Sequence, residues 1–183
     1  MIFGSSQRRQ REALIAGLYG KVAAAARAPG IYAEMGAADT VEGRFEVLAL
    51  HMALILRRLG QLPGPADSVA GELTDYFFAA LDGALREIGI GDMGIGRRMK
   101  SLASGFLGRA NAYDAALADA APAEALARAI HRNVFRGADA GEAGAARLAL
   151  HSINAAEALS RSSLDDILSE RGTVFSSAAG TLA

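Results

Sequence analysis

The sequence predicts an all-α fold, a single-domain bundle of six to seven helices, on three observations. Of its 183 residues, 51% are apolar but only 6% aromatic, so alanine supplies much of the apolar content, a composition suited to close-packed helices. Apolar residues recur at steps of three and four along most of the chain. No stretch shows the strict alternation or β-branched density of a strand. A chain of this length fits one domain and buries a substantial core. Within it, residues 1–30 read as an N-terminal helix, 31–160 as the helical core and 161–183 as a short helix with a frayed tail.

The first helix is expected over 5–28. Ser5 or Ser6 can cap it, and Leu14, Leu18 and Val22 form its stripe. Pro29-Gly30 ends it, and IYAEMGAADT reads as a loop. The second helix, 41–59, carries the clearest signal. Asp39 and Glu42 have capping-box spacing. Phe45, Leu48, Met52, Ile55 and Leu59 mark one face, and Val47, Leu50, Leu54 and Leu56 widen it until the middle is apolar nearly all round. Such a helix belongs at the centre of a bundle and should be the most buried element. Gly60 suits the C′ position, and Pro63-Gly64-Pro65 forces a break.

A third helix is expected over 68–88, with Leu73, Phe77, Ala80, Leu81, Ala84, Leu85 and Ile88 facing inward and Asp82–Arg86 as an i, i+4 pair. Glycines 89, 91, 94 and 96 then predict a loop with Asp92 as its only carboxylate, capping a fourth helix over 93–119. Met99, Leu102, Phe106, Tyr113 and Leu117 are its expected inward residues. Pro122 opens a fifth helix to about Phe135, 136–144 form a loop, and a sixth helix covers 142–159. Leu164–Leu168 predicts a last short turn of helix.

Several function classes are excluded or weakened. There are no cysteines, so disulfides and thiolate chemistry are absent. His51, His131 and His151 lack the spacing of a zinc site, and no cofactor is expected. Nineteen basic and 20 acidic residues leave a net charge of −1, giving no global pull toward DNA or RNA. The apolar run Val47–Leu56 is about half the length of a membrane span. Arg8, Arg9 and Arg11 ahead of an apolar stretch imitate a signal peptide, but Lys21 and the helical spacing argue against one.

Gly89-Ile90-Gly91-Asp92-Met93-Gly94 matches GxGxxG, yet a helix precedes it and no βαβ unit exists, so nucleotide binding is not expected. Instead the glycines should join two helices sharply, with at least one at positive φ. The basic cluster Arg97, Arg98 and Lys100 opens the fourth helix, where the helix dipole disfavours cations. A docking patch for an acidic partner would explain the misfit. His51, in an apolar run, reads as a hydrogen-bonded core histidine; His131 and His151 read as surface. Asp75, Asp82 and Arg86 share a helix face that could in principle serve a small enzyme.

Residues 44–59 (RFEVLALHMALILRRL) and 77–117, with LREIGIGD followed by a basic pair and GFLGR, resemble the ubiquinol–cytochrome c chaperone family. The likeness covers about half the chain and ends near Ala118. It implies a non-enzymatic factor in assembly of the cytochrome bc1 complex. It implies newly made cytochrome b, or another bc1 subunit, as client, and a small co-chaperone or the ribosome as further partners. The short N-terminus points to a bacterial member, cytoplasmic or peripheral at the cytoplasmic face of the inner membrane. Candidate partner-binding residues are then Arg86, Glu87, Asp92, Arg97, Arg98, Lys100, Phe106, Arg109 and Tyr113. The rival readings are a ribosome- or RNA-binding module using Arg97, Arg98, Lys100 and Arg109, and the enzyme on the Asp75 face. The chaperone reading requires an exposed apolar groove near basic residues.

Overall fold

A computed structural model describes residues 3–87, 92–169 and 174–175, without the side chains of 3–5, 92–95 and 98. Among these residues there is no strand. Six long helices form the bundle: α1 (Phe3–Ala26), α3 (Val41–Gly60), α4 (Ala66–Glu87), α5 (Asp92–Leu117), α6 (Pro122–Asn133) and α7 (Glu142–Ser160). Two five-residue helices, α2 (Pro29–Ala33) and α8 (Leu164–Leu168), complete it.

The central helix is α3, which packs against α1, α4, α5 and α7. Its all-round apolar middle has a direct cause. Met52, Ile55 and Leu59 enter one core with Leu18, Leu73, Phe77 and Phe106. Val47, Leu50 and Ala53 enter a second core with Leu126, Ile130 and Leu148. The helix separates two apolar clusters, so neither side can be polar.

The helix starts differ from the expected ones in instructive ways. Thr40, rather than Asp39, caps α3, accepting from the Gly43 amide at 3.1 Å. Asp39 instead accepts from Arg44 Nε at 2.5 Å, so no capping box joins it to Glu42. A side chain at Gly43 would collide with the Ala38 carbonyl, so this glycine lets the incoming loop close over the first turn. Ser5 and Ser6 lie inside α1, not before it. Pro29-Gly30 ends α1 but also starts α2, since proline suits a first helical turn.

Gly60 is the last residue of α3, and Gln61 follows in right-handed backbone. Positive φ falls at Gly36, Gly64, Gly137 and Arg136. Gly94 and Gly96 lie within α5, so the expected loop does not include them; Gly89, Gly91 and Ile88 lie outside the described residues. Within α4, Leu73, Phe77 and Leu85 are buried as expected, whereas Ala84 is exposed.

Cations tie the chain's last described elements to the bundle. Lys21 Nζ donates to the Ile167 and Ser169 carbonyls at 2.7 and 2.9 Å, and Arg58 donates twice to the Ser162 carbonyl. Ser163 and Asp166 form a reciprocal capping box on α8.

Candidate functional site

At one end of the bundle α1 and α4 finish and α3 begins, which leaves a cleft that the middle of α5 helps to wall. Its volume is about 480 Å³, within the range of ligand and peptide clefts. Phe45, Leu48, Leu81, Leu85 and Leu102 give it an apolar floor. Arg27, Arg44 and Arg136 stand on its rim with Glu42 and Glu87. This arrangement is concave, open and apolar, with charge at the margin.

Glu46 and Arg109 form the polar base of the cleft. The guanidinium donates through Nε at 2.5 Å and Nη2 at 2.6 Å to the two carboxylate oxygens, a bidentate pair. The Glu46 side chain is 9% exposed and that of Arg109 25%, so removing either would strand a mostly buried charge. The Arg109 guanidinium also stands 5.9 Å from the centre of the Phe45 ring. Gly105 makes this geometry reachable: a Cβ there would come within 2.6 Å of Arg109 Nη1. The GFLGR segment therefore encodes a fork, its glycine cradle and a core anchor, Phe106.

The candidate residues scatter over three environments. Glu87 and Arg109 line the cleft. Phe106 and Tyr113 are each 1% exposed; both belong to the cores, which removes them from the surface. Arg86 pairs with Asp82 at 2.8 Å on the outside of α4. Arg97 and Lys100 are exposed and form no ion pair among the described residues. Helical rotation of 100° per residue sets them roughly 140° and 160° around α5 from Leu102, so they face away from the cleft that Leu102 lines. Asp92 is the first residue of α5; its side chain and that of Arg98 lie outside the description.

Arg109 is thus engaged internally, which takes one of four cations from the nucleic-acid reading. Asp75 is exposed and Asp82 is paired; neither lines the cleft. Arg57 and Arg58 are likewise committed, to Asp114 and the Ser162 carbonyl. Sequence reasoning missed Arg27, Arg44, Arg136 and Tyr19 as cleft residues. The three arginines lie on separate segments, after α1, in α3 and after α6, that only the fold assembles.

The histidines divide as well. His51 is fully buried, with Nδ1 2.8 Å from the Val47 carbonyl and Nε2 without a hydrogen-bond partner among the described residues. Burial pushes its pKa down to about 4, against a smaller upward pull from the Val47 hydrogen bond. His151 is half-buried rather than on the surface, its ring 6.0 Å from that of His51. Phe175 meets the His51 ring edge-on at 5.1 Å. His131, also half-buried, places Nε2 2.8 Å from the Ala138 carbonyl.

No helix among the described residues is long and apolar enough to cross a membrane. Among curated protein sequences none matches this one. The fold is similar to the crystal structure of the Cbp3 homolog from Brucella abortus, with a TM-score of 0.78 and 36% identity. The match covers 92% of this chain and 93% of that one. The family model for the ubiquinol–cytochrome c chaperone matches residues 33–175, which extends the resemblance seen in the sequence well past Ala118. On both grounds, this chain belongs to the ubiquinol–cytochrome c chaperone family.

Proposed function

We propose that this chain, an assembly chaperone of the cytochrome bc1 complex, holds an apolar segment of newly made cytochrome b in the cleft between α1, α3, α4 and α5. The observation that carries the reading is the cleft itself. It offers apolar surface to a partner, and its charged margin keeps that surface from closing on itself or aggregating. A helix-in-groove mode fits a client rich in membrane-spanning helices. Family membership implies a non-enzymatic role. The work proposed is therefore to keep apolar client surface from water until the complex assembles at the cytoplasmic face of the membrane. A small co-chaperone or the ribosome would meet the chain on its other faces.

Ala84 gives a clean test. It is exposed, yet it lines the cleft, so Ala84→Trp fills the groove without disturbing the core. The expected outcome is an unchanged melt, loss of cytochrome b in pull-downs and a fall in assembled bc1 complex. Wild-type capture by a folded Ala84→Trp variant would place the client elsewhere.

A further inference from the structure

Phe175 returns from beyond α8 to the central helix. It and Val174 are buried in the first core, and its ring meets that of His51 edge-on at 5.1 Å. The seat beneath is polar where a core is ordinarily apolar. His51 is wholly buried. Its Nδ1 lies 2.8 Å from the Val47 carbonyl and must donate there. Nε2 is then an acceptor, with no hydrogen-bond partner among the described residues. His151 of α7 stands beside it, the ring centres 6.0 Å apart. A leucine at position 51 would occupy such a place without stranding a polar atom. An imidazole differs from leucine in one respect that matters here: it gains a charge near neutral pH unless its surroundings forbid it.

The surroundings forbid it. Burial lowers the pKa of both rings, and the charge of His151 lowers that of His51 further, against the upward pull of the Val47 hydrogen bond. The charged groups on the adjoining elements are exposed or committed elsewhere. On α3, Glu46, Arg57 and Arg58 are held by Arg109, Asp114 and the Ser162 carbonyl. On α7, Arg147 one turn before His151 and Glu157 six residues after it are exposed. From α1, Lys21 donates to the Ile167 and Ser169 carbonyls. On α8, Asp165 is exposed and Asp166 closes the capping box.

We propose that Val174 and Phe175 form an acid-released latch over the His51–His151 pair, closed on two neutral imidazoles and displaced when they take up protons. None of these four residues lines the client cleft, so the latch stands or falls separately from it. The sign follows from linkage. With the latch open, His51 meets water and regains its ordinary pKa of 6.5; with it closed, the pKa is about 4. Closure is therefore fully favoured above pH 6.5 and weakens as pH falls toward 4. Between pH 8 and pH 5 the ratio of open to closed should rise about 30-fold from His51 alone, and His151 acts in the same direction. α8 remains in place, because Lys21 and Arg58 are still charged at pH 5. The Ser163 hydrogen bonds hold the Asp166 carboxyl below its ordinary pKa, which keeps the capping box ionised there as well.

The chain has no cysteine, so a single introduced thiol reports on one place. Val174→Cys puts it on the latch, and Ala129→Cys puts it in the second core, where opening of the bundle exposes it. The full chain is labelled with 4,4′-dithiodipyridine, which reacts with thiols at acid pH, and each rate is divided by that of glutathione under the same conditions. At both pH values Val174→Cys should react faster than Ala129→Cys by about tenfold or more, as local opening outruns global unfolding. Its relative rate should rise about 30-fold from pH 8 to pH 5, with the helical circular dichroism unchanged. In a His51→Leu background most of that rise should disappear. His151→Gln serves where His51→Leu does not fold, and should reduce the rise. Relative rates that are the same at pH 8 and pH 5 would overturn the latch, as would a thiol at position 174 that reacts as fast as glutathione at pH 8. Equal rates at the two thiols would mean that the segment leaves only with the whole bundle, and a rise that persists undiminished in both histidine variants would place the titration elsewhere. Either result also overturns the proposal.

Discussion

At the scale of single residues, the Glu46–Arg109 pair gives the sharpest expectation. Arg109→Ala leaves a carboxylate that is 9% exposed without its partner, which should cost about 2–4 kcal/mol, read by urea denaturation. Gly105→Ala tests the cradle. Alanine normally stabilises a helix interior by about 1 kcal/mol relative to glycine, but here its Cβ would press on Arg109 Nη1 at 2.6 Å. The variant should therefore gain less than that, and in an Arg109→Met background the full gain should return. A gain that is equal in the two backgrounds would contradict the cradle. His51 contributes to the acid limb. Its pKa is about 4 when folded against 6.5 ordinarily, so the unfolded chain binds the proton more readily. The neutral ring's contribution is complete above pH 6.5 and is lost as pH falls toward 4. The slope amounts to about 2–3 kcal/mol by pH 4.5. His51→Leu should flatten that part of the stability profile relative to wild type.

At the scale of elements, legibility in the sequence followed the strength of the local pattern. The central helix was readable almost to the residue because α3 buries apolar side chains on both sides, and no other structure suits such a run. Its cap was misread because Asp39 and Thr40 are both competent caps. The choice was decided by Arg44, whose ion pair occupies Asp39, and by Gly43, which lets Thr40 close on the first turn. The short α2 was missed because five residues carry too little periodicity. Arg27 and Arg136 could not be recognised in the chain, since what distinguishes them is a shared cleft and a backbone torsion. The glycine cluster misled in the other direction. Gly94 and Gly96 are helical, and nothing lies within 4 Å of a Cβ at Gly96. Gly96→Ala should then stabilise by about 0.5–1 kcal/mol, opposite to the loss expected of a left-handed loop position. A lowered melting temperature would mean that α5 begins after this residue in solution.

For the whole molecule, the open question is how a chain with a net charge of −1 finds a client when its overall field is close to nil. The arrangement of charge suggests two faces with different kinetic duties. In the proposed mode the cleft would hold its occupant by apolar contact, and contact of that kind governs dissociation. Arg97 and Lys100 lie on the far side of α5, exposed and unpaired among the described residues. They are the sixth and ninth residues of α5, beyond the first turn where the helix dipole acts, so without a partner they contribute little to the fold. Their proposed role is to steer encounter with acidic surface on the client or its carrier, which governs association. Replacing Arg97, Arg98 and Lys100 together by glutamate should leave the melting temperature unchanged. It should slow association by roughly tenfold at low salt, with the difference shrinking as ionic strength rises. Dissociation should be unaffected, whereas Ala84→Trp should act on dissociation and leave the salt dependence as it is. Stopped-flow binding to detergent-solubilised cytochrome b at two salt concentrations separates the two. An association rate that the triple reversal leaves unchanged would reduce this face to solvated surface and leave the cleft to do both jobs.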